Sequence, residues 1–506
     1  MTRRIQTNSR WDKMSRKELQ AFQLRRLRHF LAEVVLPFSP HYRARFARLG
    51  KSPHEIRSLQ DLEAFPFTTK SDVVPSESNP EGPRSFILQP NAELIRTHLP
   101  KKALLKIAIE KAFRGASHVE ARLRAEYNPV KLLFTTGRSA SSLPFFLSGH
   151  DLAILRETGR RITQVLGLEP GHDRVVSLFP YAPHLAFWQV AYCAEAAGIL
   201  TLNTGGGRVM ESARIIDSIE RLKPTAVCGM PGYFYHLLRR ARNEGHEWPF
   251  IEKVALGGEM VPSVLKRRIV DTLRDMGASD PKVASVFGFT EARQCWAECT
   301  GAEDTGFHTS PDLCLVEIVD PETGRVLGDG ESGELVYTTL EGRGSVLFRY
   351  RTGDIIDGGI THEACPGCGR TLPRVASRIE RVSNVKSLAI SKVKGTLVNL
   401  NTLAAIIGSD PAIEEWQIVI SKANDDPFEV DQIELHCALD HSHDHGAFRE
   451  RIQRNVSSQT EIHFNQVSIR PLEEMLERVG MERLTKEERI VDRRQVRTQA
   501  KEGREA

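Results

Sequence analysis

Several residue types are scarce in this chain, and each scarcity excludes something. Cysteine occurs only 8 times in 506 residues, too sparse for a disulfide scaffold and suited to a reducing cytoplasm. Charge of one sign is nearly missing in net. The 69 basic and 65 acidic residues leave +4, which predicts no strong general attraction to nucleic acid or membrane. Long hydrophobic runs are wanting too. The most apolar stretch, 185–202, contains Gln189 and Glu195, so it reads as a buried helix running into a strand, not a membrane span. No apolar segment follows the charged residues 1–17, which argues against a secretory leader. What is present is ordinary globular material, 40% apolar and 26% charged, with length for about three domains at roughly 150 residues each.

Between Pro129 and Glu291, short β-rich runs alternate with helical patterns. The runs are 131–136, 174–179, 198–202, 225–229, 253–256 and 282–287, with helices expected over 186–197, 210–222, 233–243 and 263–276. This alternation predicts an α/β fold with a mainly parallel sheet, whose ligands bind at the carboxyl ends of the strands. Near Glu298 the texture becomes antiparallel β, with 313–319 and 334–339 joined through the turn Asp320-Pro321-Glu322-Thr323-Gly324, and it runs to about Arg381. From about 384 a small α+β domain is expected, with helices on one face of an antiparallel sheet. The division is therefore 1–383, with a β subdomain at about 298–381, and a smaller domain at 384–506 ending in a charged tail. Residues 85–128 are rich in Arg and Lys and read only as helix.

The first expected strand runs into Thr135-Thr136-Gly137-Arg138-Ser139-Ala140-Ser141-Ser142. Small hydroxyl residues around a glycine after a strand allow backbone N–H groups to converge on an anion, although a plain Ser/Thr turn has the same composition. Further segments fall at other strand ends: Leu256-Gly257-Gly258-Glu259, Val286-Phe287-Gly288-Phe289-Thr290-Glu291 and Phe348-Arg349-Tyr350-Arg351-Thr352-Gly353-Asp354. Leu62-Glu63-Ala64-Phe65-Pro66-Phe67-Thr68-Thr69-Lys70, Cys228-Gly229-Met230-Pro231 and Cys365-Pro366-Gly367-Cys368-Gly369-Arg370 join the set. In order and spacing these segments resemble the adenylate-forming superfamily of acyl-CoA synthetases, adenylation domains and luciferases. The resemblance is strongest to its phenylacetate–CoA ligase-like branch, which includes the coenzyme F390 synthetases. It covers about residues 20–495, except 85–128.

The resemblance implies ATP-dependent activation of a carboxylic acid, aryl or otherwise hydrophobic, followed by thioester formation with CoA. It implies that Thr135, Gly137, Ser139 and Ser141 cradle phosphates, that Thr290 donates to the α-phosphate, and that Glu291 holds Mg²⁺. Phe287 would stack on adenine, with Gly257, Gly258, Glu259 and Gly288 beside it. Asp354 would accept the ribose hydroxyls, assisted by Arg381. Tyr181, His184 and Gly232 match the acyl or aryl pocket. Lys486, in Thr485-Lys486-Glu487-Glu488-Arg489-Ile490-Val491-Asp492 of a mobile C-terminal lid, would be the adenylation cation.

The Cys365–Cys368 pair has ligand spacing, and Cys299 and His308 could supply two more ligands of a Cys₃His set suited to structural Zn²⁺, with Cys295 as a replacement ligand; redox-active or merely buried cysteines fit the same spacing. Three positions depart from the family pattern. Ser141-Ser142 replaces Gly-Lys in the phosphate loop, Ser383 replaces the hinge aspartate, and no glycine precedes Lys486. Two alternatives therefore stay open: adenylylation of a phenol-like hydroxyl, and a catalytically degenerate nucleotide-binding protein. A homodimer also stays open as the assembly, and the location expected is cytoplasmic.

Overall fold

A computed structural model describes residues 11–76, 80–135, 143–207, 209–381, 390–393, 396–422, 431–440, 444–460, 462–484 and 487–493. The chain divides into two compact units, Met1–Ile379 and Glu380–Ala506.

A nine-stranded sheet organises the first unit. Its order is Ile360–Thr361, Arg374–Val375, Phe307–His308, Gln294–Ala297, Lys282–Phe289, Lys253–Gly257, Ala226–Gly229, Arg174–Ser177 and Leu200–Asn203. The last five of these are parallel, with Val175 opposite Ala226 and Val254 opposite Val283. Val- and Ala-rich strands covered on both faces are what a parallel sheet requires. Helices Gly149–Val165 and Leu185–Ala197 pack on each other, while Ser212–Leu222, Pro231–Asn243 and Ser263–Asp275 pack in succession. Ser148 starts the first of these helices with a capping box, since its hydroxyl accepts from the Asp151 N–H and the Asp151 carboxylate accepts from the Ser148 N–H. That carboxylate also takes the Gly344 N–H at 2.6 Å and the buried Arg293 guanidinium at 3.0 Å.

The first expected run does not lead this sheet. Pro129–Phe134 forms a separate antiparallel hairpin with Pro144–Ser148, a strand the sequence reading did not separate from the loop before it. Val130 is 56% exposed, so this strand cannot sit between two helix layers. The expected β subdomain is also divided. Cys314–Val319, Gly333–Thr339, Tyr350–Asp357 and Arg378–Arg381 form a four-stranded sheet. Phe307–His308, Ile360–Thr361 and Arg374–Val375 instead extend the large sheet antiparallel. The core beneath is aromatic, including Phe46, Phe65, Phe86, Trp296, Tyr337 and Phe348.

In the second unit the sheet order is Gln466–Ile469, Asp431–Leu439, Ile413–Lys422 and Ile490–Asp492. The central pair is antiparallel as expected, but both outer strands run parallel to their neighbours. Helix His445–Thr460 supplies the long crossover that the Asp431–Leu439/Gln466–Ile469 pairing needs. Helices do not share one face. Leu400–Ser409 and His445–Thr460 enclose a core with Ile418 and Ile420, whereas Gln417, on the opposite face, donates to the Arg478 carbonyl at the end of helix Leu472–Val479. Among the described residues no helix is long and apolar enough to cross a membrane.

Candidate active site

The carbonyl of Phe134 is a junction at the site. It accepts the Thr290 hydroxyl at 3.3 Å and lies 3.0 Å from His184 Nδ1, while the Phe134 N–H donates to Pro183. One carbonyl thus joins the hairpin to the residue after strand Lys282–Phe289 and to the entry of helix Leu185–Ala197. One residue further, the Thr135 N–H donates to the Leu143 carbonyl, and the Thr135 hydroxyl accepts the Leu143 N–H at 3.0 Å. Those bonds close the neck of the Ser/Thr/Gly loop. Gly137, Ser139 and Ser141 lie within 136–142 and fall outside the described residues.

Thr290 is buried, and Glu291 beside it accepts the Tyr350 hydroxyl at 3.3 Å. Tyr350 opens the strand that carries Asp354, also buried. Between them Gly353 adopts φ +76°, a left-handed conformation natural to glycine, and the Asp354 N–H donates to Thr352 Oγ1 at 3.0 Å. Thr290, Glu291 and Asp354 are thus linked through Tyr350. Arg381 ends the next strand of that sheet, its side chain outside the described part, and Lys486 is likewise outside it.

Arg349 has a different job. It donates to the carbonyls of Leu62 at 2.6 Å and Phe65 at 2.7 Å, pairs with Glu317 through two nitrogens, and lies 4.3 Å over the Phe67 ring. Thr68 donates its N–H to the Arg349 carbonyl and accepts the Arg351 N–H. The segment 62–70 is therefore a brace for the 348–354 motif. Burial pushes the Glu317 carboxyl up, against the pull of Arg349.

Phe287 is half-buried among Phe289, Trp296 and Phe307, with ring centroids at 5.7, 6.0 and 5.5 Å. Gly257, Gly258 and Gly288 are among the residues lining an apolar cavity of about 120 Å³, close to the roughly 150 Å³ of an apolar cavity that takes up benzene. A Cβ on Gly288 would lie 2.3 Å from Cys295 Sγ, and one on Gly258 2.6 Å from Met230 Sδ. Glu259 follows, half-buried. Leu185, Gln189 and Cys193 of helix Leu185–Ala197 and Lys253 also line the cavity. Of the residues expected in a substrate pocket, none of Tyr181, His184 and Gly232 lines it. Tyr181 is 62% exposed with its ring against Phe187, His184 is held by Phe134, and Gly232 lies in the first turn of helix Pro231–Asn243. Gln189 and Cys193 are cavity residues that the sequence motifs do not mark. Their signal is the apolar composition of helix 185–197 on every side, which a helix lining a cavity shares with one buried in a core.

Cys299, His308, Cys365 and Cys368 offer ligand atoms that all lie within 4.8 Å of one another. Cys299 and Cys365 sulfurs are 3.6 Å apart, and Cys368 Sγ is 3.3 Å from His308 Nε2. Thiolates at about 2.3 Å from a tetrahedral zinc stand about 3.8 Å apart, so the donors fit such an ion. His308 Nδ1 is 3.1 Å from the Ala297 carbonyl, which leaves Nε2 facing the cluster. Burial lowers the His308 pKa to about 4, so the ring is neutral as a ligand must be. Cys295 is not in the cluster; it lines the cavity.

Residues 148–341 match the model of the AMP-binding enzyme family. The phenylacetate–coenzyme A ligase of Thermus thermophilus is 24% identical over 411 residues, covering 81% of this chain and 80% of that protein. The enzyme of the same name from Aromatoleum evansii is 26% identical over 388 residues, covering 74% and 71%. Among solved structures, 2-hydroxyisobutyryl-CoA ligase in the postadenylation state in complex with R3-HIB-AMP superposes with a TM-score of 0.74 at 21% identity, covering 98% of this chain and 94% of that one. At that identity the match establishes a shared fold.

Proposed function

From an AMP-binding enzyme domain set in the adenylate-forming fold, we propose that this protein is an AMP-producing acid–CoA ligase for an aryl or similarly compact hydrophobic carboxylic acid. One observation carries the reading. Thr290 and Glu291, linked through Tyr350 to the strand of buried Asp354, follow strand Lys282–Phe289, and Gly288 of that strand lines an apolar cavity together with Gly257 and Gly258 at the end of the neighbouring strand.

The acid's tail enters the cavity, and its carboxylate oxygen attacks the α-phosphorus of ATP, expelling pyrophosphate. The CoA sulfur then attacks the acyl carbon of the adenylate and AMP leaves. Such transfers depend on alignment and charge neutralisation more than on acid–base groups. Thr290 donates to the α-phosphate, and its tie to Phe134 sets its position against the loop after Thr135. Gly137, Ser139 and Ser141 cradle the outer phosphates. Asp354 accepts the ribose hydroxyls with Arg381 beside it, and the adenine lies against Phe287 and the Gly257–Glu259 turn. Tyr350 orients Glu291, a hard carboxylate suited to Mg²⁺, which neutralises phosphate charge when bound. Lys486 supplies the adenylation cation. The Cys299–His308–Cys365–Cys368 cluster holds a structural zinc. Eight unpaired cysteines suit a cytoplasmic enzyme, and a homodimer is the assembly we test for by mass in solution.

The experiment is pyrophosphate release from Mg²⁺-ATP over a panel of aryl and aliphatic acids, with and without CoA. Acid-dependent release with an acyl-CoA and free AMP as products is expected. AMP retained on a hydroxylated product, with CoA without effect, overturns the reading, as does no release with any acid. Lys486→Ala should slow adenylation and spare thioester transfer, and unchanged adenylation removes Lys486 from the mechanism.

A further inference from the structure

The segment that matches none of the motifs, 85–128, carries a surface that the chemistry above does not use. Helix Lys101–Arg114 turns Ala103, Leu104, Ile107 and Glu110 toward the protein. Its outward face is Leu105, Ala108, Ile109, Ala112 and Phe113, an apolar stripe at helical spacing. Leu105 is 61% exposed, Ile109 49% and Phe113 86%. A monomeric surface rarely presents three large apolar side chains in line.

The charge around the stripe is equally one-sided. Lys101, Lys102, Lys106, Lys111 and Arg114 face Glu110 alone, giving the helix net +4, equal to the net charge of the whole 506-residue chain. Glu110 is itself occupied by Arg122 at 3.1 Å and His118 at 3.5 Å. At 100° per residue, Lys106 and Lys111 border the stripe on opposite sides and Lys101 and Lys102 stand at its start. Their long stems can lie along an apolar layer with the ammonium groups raised to its polar boundary.

We propose that helix Lys101–Arg114 docks the protein on an anionic lipid bilayer, lying in the plane of the interface with Leu105, Ile109 and Phe113 in the acyl boundary and its lysines among the headgroup phosphates. An apolar face flanked by cations of one sign is the composition of interfacial helices. The same flanks disfavour a second copy of this chain, which would set lysine against lysine across a two-fold axis. Attachment is peripheral, in keeping with the lack of a spanning helix among the described residues. The inference is independent of the ligase reading, since none of these residues belongs to the site described above.

The test is flotation of the full-length protein with vesicles of phosphatidylcholine alone or mixed equally with phosphatidylglycerol, at low and high salt. Binding to the anionic vesicles, weakened by salt, is expected. Phe113→Ser with Ile109→Ser should weaken it by roughly tenfold or more, because the apolar face supplies the anchor. Lys106→Gln with Lys111→Gln should do likewise, since each cation near an anionic surface contributes about fivefold. Nucleotide binding should be unchanged in both variants, which shows that the fold survives. No flotation with anionic vesicles overturns the proposal. So does equal binding to neutral vesicles, and so does a dimer or an acidic protein complex that the Phe113/Ile109 variant abolishes while vesicles stay unbound.

Discussion

Replacing Arg349 by methionine tests whether the 348–354 motif stands on a buried brace. Arg349 is 1% exposed, and its side chain satisfies Glu317 and the carbonyls of Leu62 and Phe65. Methionine fills much of the volume and supplies no donor. Removing one partner of a buried ion pair costs about 3–5 kcal/mol, and each orphaned carbonyl adds about 1–3 kcal/mol unless water reaches it. Because these terms share one site and are not additive, the total expected is about 5 kcal/mol. The loss should depend on pH. Burial already raises the Glu317 carboxyl, and without Arg349 it rises further. The folded variant then holds a proton that the unfolded chain has released, so its stability falls as pH rises above about 4.5. Urea unfolding followed by circular dichroism, at pH 5 and pH 8, should show the larger deficit at pH 8. The double variant Arg349→Met/Glu317→Gln should recover part of the loss, since no charge is then left alone. A single variant within about 1 kcal/mol of the parent, or a double variant no better than the single, refutes the reasoning.

Three further outcomes are expected. Elemental analysis of undenatured protein should give about one zinc per chain, and Cys365→Ser should lower both metal content and thermal stability; zinc near zero ends that assignment. Gly288→Val should reduce acid-dependent pyrophosphate release at least tenfold, because even a Cβ at that position lies 2.3 Å from Cys295 Sγ, which lines the cavity; unaltered kinetics would remove the cavity from the mechanism. Burial, with Arg45 next, lowers the His41 pKa to about 4, so between pH 6.5 and 4 the unfolded state binds more protons and stability should fall as pH falls through that window. His41→Gln should flatten that slope in a pH series of thermal melts, and an unchanged slope excludes His41 as its source.

The legible part of the fold was the part whose periodicity is local. The strands near 174, 226, 253 and 282 and the helices between them declare themselves through alternation of short β-branched runs with amphipathic stretches such as Ile215, Ile216 and Ile219. Pairing was less legible, because a strand's own residues do not name its neighbour. The run 131–136 has the composition of a sheet strand, yet Pro144–Ser148 takes Pro129–Phe134 into a hairpin, and the sheet expected to be antiparallel after 384 has a parallel edge at Gln466–Ile469 because a helix carries the chain over to it. In the site, Thr290, Glu291 and Asp354 were readable as motif residues, and Tyr350, which links Glu291 to the strand of Asp354, was inside a motif without a role. Arg349 shows the opposite error available to motif reading: a cation near a nucleotide motif was free to be a phosphate ligand, and only its contacts reveal a brace. Gln189 and Cys193 were hidden because a helix apolar on all sides gives no angular cue to the side facing a cavity.

The double anchorage of the loop at Thr135 and Leu143 bears on how such a site can diverge. Its entrance is fixed by the Phe134 carbonyl to two other segments, and its exit is bonded back to its entrance. Those bonds are made by Phe134, Thr135 and Leu143, none of which is among the positions, such as Ser141 and Ser142, where the loop departs from the Gly-Lys pattern.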